Sequence, residues 1–206
     1  MFQSEQGDGF LQILTERRAM LLGLMVLPAA GHGAALAANE GGAQMQPELY
    51  EGQQTGFEGK TSEQQLKELI DREQIRELTA RYAHRVAHGV SIADLFTDDG
   101  AFILRYPGRP VRETRGRAAL DKLFTASAAN PARPLPMIHN HLVRINGDQA
   151  IGICSNELRM TEDGKSMIGS GYYEDQLRRE SGHWRFVVRD MTFIHWVPIQ
   201  QGWATA

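Results

Sequence analysis

"SMIGSGYYEDQLRRESGHWRFVVRDMTFIHWVP", Ser166 to Pro198, holds two long runs rich in aromatic and β-branched residues, and between them "ESGH" (Glu180 to His183) supplies a tight turn. Serine and glycine accept backbone angles that end a strand, so two such runs joined so closely read as a β-hairpin. Trp184 and Phe186 alternate as core-facing strand residues should. The same grammar extends upstream: Ile138 to Ile145, a turn at "NGDQ", Ala150 to Met160, then a turn at "TEDGK" before Ser166. Four strands with turns at this spacing predict an antiparallel meander.

Ahead of the strands the period changes. Leu66, Leu69, Ile70, Ile75, Leu78, Tyr82 and Val86 recur at three- and four-residue spacing, the stripe of one long amphipathic helix or a kinked pair. Thr61 or Ser62 offers the N-cap oxygen, Glu63 to Gln65 suit the first turn, and Gly89 marks the stop. "SIADLFTDDGAFILRY" reads as a short helix, a turn at Asp98-Asp99-Gly100 and a strand from Ala101 to Tyr106. "GRPVRETRG" gives a turn and a short strand. A second amphipathic helix starts near Arg117, and "NPARPLP" closes it with three prolines in seven residues. Helices followed by a long antiparallel sheet predict an α+β fold with the helices on one face.

The first sixty residues differ. Arg17 and Arg18, an apolar run from Ala19 to Ala30, and Ala35-Leu36-Ala37 follow the layout of a secretory signal, and "RRAML" is similar to a twin-arginine export motif. Glu16, Glu5 and Asp8 depart from that pattern. The expectation is an export signal over 1–37, a flexible Gly/Gln/Glu-rich linker over 38–60 and a folded domain over 61–206, in a periplasmic or secreted protein. The alternative is a frayed amphipathic N-terminus on a cytoplasmic one. The apolar run is too short for stable membrane insertion.

With 22 Lys plus Arg against 25 Asp plus Glu in 206 residues, the net charge is only -3, and no nucleic-acid partner is expected. The single cysteine, Cys154, excludes an intrachain disulfide and reads as buried filler.

"LIDREQIRELTARYAHRVAHG", "IADLFTDDGAF", "RGRAALDKLF", "INGDQAIG" and "MIGSGYYEDQLRRESGHWRF" resemble, in order and spacing, the SnoaL-like branch of the nuclear-transport-factor-2-like superfamily. That branch includes polyketide cyclases, scytalone dehydratase and the dehydrochlorinase that acts on lindane. The resemblance covers about Leu66 to Trp203. It implies a cone in which helices close over a strongly curved antiparallel sheet, a deep apolar pocket for a small hydrophobic ligand, and a homodimer or homotrimer built through the outer sheet face. Its enzymes use a His-Asp pair without metal or organic cofactor. The Asp falls five residues after the tyrosine matched by Tyr82, at Ala87; the His falls four before the asparagine matched by Asn140, at Pro136. Neither can move a proton.

Candidate ligand-binding residues are therefore Tyr82, Val86, Phe102, Asn140, Asn156, Tyr172 and His195. His139 as general base, aided by Tyr82, is the catalytic alternative, in a cofactor-independent lyase or isomerase acting on a carbonyl-bearing hydrophobic substrate. Tyr82, Asn140 and Tyr172 or Tyr173 would donate to an enolate oxygen. Strand alternation puts His139 and His141 on one face and Asn140 on the other, so an inward Asn140 sends both histidines outward unless a bulge intervenes. His139, His141, His84 and His88 have metal-ligand spacing, but His84 lies opposite the apolar stripe, so no metal and no cofactor is expected. Asp98 and Asp99 read as turn formers.

Overall fold

Thr61 begins the first helix, α1 (Ser62–His88), with a capping box: Gln64 N–H donates to Thr61 Oγ1, and the Gln64 side chain accepts from Thr61 N–H. Gly89 ends it in the left-handed conformation, at φ 69°. It is one unbroken helix of 27 residues. The computed structural model describes Leu49 and residues 57–201; the export signal read over 1–37 and most of the linker read over 38–60 lie outside the described residues.

A 3-10 turn (Ala93–Leu95) leads into β1 (Phe96–Arg105), β2 (Arg112–Arg115), α2 (Arg117–Ala129), β3 (Leu135–Asn146), β4 (Gln149–Glu162), β5 (Lys165–Glu180) and β6 (His183–Pro198). The six strands lie in the order β2-β1-β6-β5-β4-β3. β3 to β6 form the expected antiparallel meander. The sheet as a whole is mixed, because β1 pairs parallel to β6. α2 carries the chain from one edge strand to the other, and three hairpin reversals then bring β6 alongside β1 in the same direction.

Two local expectations change. Thr97 to Gly100 belong to β1, not to a turn before it, and the pairing with β6 shifts register between Phe96 and Ala101. Asp98 and Asp99 project from this irregular stretch to Arg117 (2.5 Å) and Arg178 (3.0 Å). The apolar stripe of α1 is buried only in its second half: Ile75, Leu78 and Tyr82 are inside, whereas Leu66, Leu69 and Ile70 are about half exposed. The first turns are held by charge instead. Arg72 ion-pairs with Glu68 and donates to the Val143 carbonyl, while Asp71 meets Arg179 at 2.7 Å. Leu66 and Ile70 stand roughly opposite Ile75 around the helix, so they fall on its solvent side, and the inward positions of the first turns are Asp71 and Arg72. The core between α1, α2 and the sheet centres on Phe96, Phe102, Phe124, Tyr173 and Phe186.

Candidate functional site

A cavity of about 190 Å³ lies between the helices and the inner sheet face. α1 supplies Tyr82 and Val86, one turn apart; α2 supplies Leu123, Phe124 and Ser127; the α2–β3 link and the start of β3 supply Pro134 and Pro136. Phe102, Leu104 and Tyr106 enter from the β1 side, Leu158 and Met160 from β4, Tyr173 from β5, and Met191 and Phe193 from β6. The volume is below the roughly 300–1,000 Å³ of drug-sized sites, which favours a small occupant. The polar side chains among its lining residues are Tyr82, Tyr106, Tyr173 and Ser127; among the described residues no carboxylate, imidazole or ammonium lines it. Burial pushes the Tyr82 and Tyr173 phenols above their ordinary range, so both are protonated donors at neutral pH. The Tyr173 hydroxyl is buried without a well-formed hydrogen bond.

Tyr82 and Tyr173, packed edge to face with ring centroids 5.7 Å apart, also face a buried charged cluster. Arg189 and Asp175 are both fully buried and pair at 3.3 Å. The guanidinium carbon sits 3.9 Å from the Tyr173 ring centre, 4.1 Å from Tyr82 and 4.5 Å from Phe186, so cation–π contacts replace part of the lost hydration. Burial pushes the Asp175 carboxyl up to about 6 against the pull of Arg189. Burial is the strongest influence on Arg189 and opposes its charge, but Asp175 together with Cys154, Tyr173 and Tyr82 outweighs it and the guanidinium stays protonated.

β3 adds an imidazole. His139 pairs with Ser155 and Leu142 with Ile153, so Asn140 and His141 together face Cys154 alone. This is a β-bulge, with Asn140 in the left-handed region at φ 52°. It reverses the expected faces: Asn140 is exposed, and His141 turns inward. Both His141 ring nitrogens are buried without a hydrogen-bond partner. Burial, reinforced by Arg189, holds His141 down to about 4, so it is neutral. Cys154 lies 4.0 Å from Arg189 Nη2, and burial pushes its thiol up to about 12.

The structure brings Tyr82, Val86 and Phe102 together at the cavity. It does not bring the other candidates there. His139 and Asn140 are exposed at the bulge, and Tyr172 is half-buried on the face opposite its neighbour Tyr173. His195 meets Ser170 Oγ at 2.9 Å, away from the lining. Asn156 is buried and its amide lacks a partner, but it does not line the cavity. Pro136 lines it, and the Ala87 carbonyl accepts from Arg133 Nε at 2.9 Å. Sequence reasoning missed Asp175 and Arg189. Val187 is an extra residue in β6, where Leu177 pairs with Phe186 and Gln176 with Val188. That shift moves the inward positions from Trp184 and Phe186 to Arg189, Met191 and Phe193. The available signal was a charged pair at matching strand positions.

A family model for the SnoaL-like domain matches residues 67–190. The fold is similar to that of a protein of unknown function from Mycobacterium tuberculosis: 29% identity, 62% of this chain and 73% of that one covered, TM-score 0.53. It is also similar to a proposed aromatic ring hydroxylase from Novosphingobium aromaticivorans, at 25% identity, with 65% of this chain and 96% of that one covered and a TM-score of 0.57. LinA shares the fold at 19% identity, with 66% of this chain and 93% of that one covered and a TM-score of 0.56. No curated protein matches the chain.

Proposed function

This chain belongs to the SnoaL-like domain family, and from that premise we propose that its cavity binds a small, largely apolar molecule carrying one hydrogen-bond-accepting oxygen, without transforming it. One observation carries this reading: the described lining offers apolar surface and hydroxyls but no group that exchanges a proton near neutral pH. Tyr82, Tyr106, Tyr173 and Ser127 carry the hydroxyls on offer to the ligand oxygen, and the role is assigned to Tyr173, whose buried hydroxyl makes only a loose contact with Tyr82 that it can exchange for the ligand. The alternative, a cofactor-independent lyase or isomerase, draws support from that same donor, which could stabilise an enolate. It lacks a base: among the described residues no imidazole, that of His141 included, is part of the lining. On the export-signal reading the ligand is met outside the cytoplasm, and a mature N-terminus near Ala38 in protein from its native host tests that.

Calorimetric titration with p-cresol, acetophenone and toluene tests the binding. The oxygen-bearing compounds are expected to bind more tightly than toluene by about 2- to 10-fold, the worth of one net hydrogen bond. Tyr173→Phe should erase that preference, and Ser127→Phe, which fills the cavity, should abolish binding. Equal binding to wild type and a folded Ser127→Phe variant would overturn the proposal.

A further inference from the structure

Three donor atoms of different chemistry converge on the inner sheet face, next to the cavity but outside its lining. A His141 ring nitrogen, Cys154 Sγ and an Asp175 carboxylate oxygen lie within 4.8 Å of one another. They come from three consecutive strands in register: Cys154 stands opposite the β3 bulge, and Gly152, two residues earlier, pairs with Asp175. The arrangement carries marks of a binding site rather than of ordinary packing. Both His141 nitrogens are buried and unpartnered. So are both Asp175 oxygens as regards hydrogen bonds, although the residue is fully buried and its charge is met by Arg189. Such groups cost stability unless something satisfies them. The neighbouring strand is cut to fit the ring: a Cβ on Gly152 would stand 2.9 Å from His141 Nε2, so only glycine leaves the imidazole this position. The bulge that turns His141 inward is built on Asn140 in the left-handed region, which asparagine tolerates better than most side chains.

We propose that His141, Cys154 and Asp175 bind one divalent zinc-class cation. Nitrogen, thiolate sulfur and carboxylate oxygen are the ligand types of zinc, and bonds of about 2.0–2.3 Å require donors roughly 3.3–3.8 Å apart in a tetrahedron. Closing from 4.8 Å needs movements of about 1 Å, within reach of the His141 and Cys154 torsions. On binding, Cys154 gives up its thiol proton to solvent, His141 coordinates as the neutral imidazole, and Asp175 gives one oxygen. Arg189 remains beside Asp175 at 3.3 Å and Cys154 at 4.0 Å, steadying both anionic ligands. Its positive charge opposes the cation, so the site binds less tightly than the same three ligands would without it. The fourth position is left to water or another donor.

Cys154 is the only cysteine in the chain, which makes the test specific. The full-length chain is expressed in medium containing Zn²⁺ and, separately, Co²⁺, so that the ion is present as the chain folds. Elemental analysis is expected to find about one equivalent, and the cobalt form a near-ultraviolet thiolate-to-metal charge-transfer band. Cys154→Ser should lose the band. His141→Phe, which fills the ring's space without a nitrogen, should bind the metal at least about 10-fold more weakly. Exposed His84 and His88 can hold adventitious cobalt, but they give no thiolate band. A folded wild-type protein with no metal, or with cobalt and no thiolate band, overturns the proposal.

Discussion

Replacing Arg189 by methionine tests the buried cluster most severely. The change keeps an apolar stem but leaves Asp175 fully buried with no counter-charge, so that its carboxyl must either take up a proton or stand as an unpaired charge. Losing one partner of a buried ion pair costs about 3–5 kcal/mol. The lost contacts with Tyr82, Tyr173 and Phe186 place the effect toward the upper end. For a domain of this size each kilocalorie lowers the midpoint by roughly 2–4 °C, so a fall of about 10–20 °C is expected. Thermal unfolding followed by tryptophan fluorescence, with buried Trp184 as reporter, measures the fall, and urea unfolding gives the free energy. The double variant Arg189→Met/Asp175→Leu removes both charges and should recover much of the loss, because matched apolar replacements avoid the stranded charge. A single-variant cost below about 1 kcal/mol, or a double variant as unstable as two independent losses, would refute the coupling.

In metal-free protein, His141 and Asp175 make opposing contributions on acidification. His141, held down to about 4, adds stability that is complete above its ordinary 6.5 and is lost as pH falls toward 4. Asp175, pushed up to about 6, takes up a proton in the folded state before the unfolded chain does, so it gains stability over nearly the same span. Wild type should therefore show a shallow dependence between about pH 4 and 6.5, and Asp175→Asn a steeper loss, read as urea midpoints against pH; equal slopes would contradict this. Gly152→Ala sets a methyl 2.9 Å from His141 Nε2 and should cost about 1–3 kcal/mol, seen as a lower thermal midpoint, whereas a neutral effect would mean the ring moves freely. We propose association through the outer sheet face, where Leu142 and Ile194 are 46% and 58% exposed; Leu142→Glu should shift the mass seen by light scattering to that of a monomer, and an unchanged mass would place any interface elsewhere.

The fold was legible because its signals are local. The capping box at Thr61, the stop at Gly89 and the turn glycines of the meander each act within a few residues. Tyr82, Val86 and Phe102 followed from periodicity and resemblance, and all three line the cavity. What failed was strict alternation. One extra residue in β3 exchanged the faces of Asn140 and His141, and one in β6 turned Arg189 inward. A bulge has no firm local signature, since its cost is offset by contacts with strands far away in sequence. The exposed apolar residues of α1 have another origin: Asp71 and Arg72, held by partners on β5 and β3, take the inward positions of the first turns, and Leu66 and Ile70 fall on the far side of the helix.

The central claim is that the cavity bounded by Tyr82, Tyr173 and Met191 holds a small ligand intact. Isotope-filtered nuclear Overhauser spectra of labelled protein with p-cresol test it directly. The account predicts one bound molecule per chain, contacts from its ring to the methyls of Val86, Leu123 and Met191, and an unchanged ligand spectrum after prolonged incubation. Contacts confined to the outer sheet face, or conversion of the ligand, would contradict it.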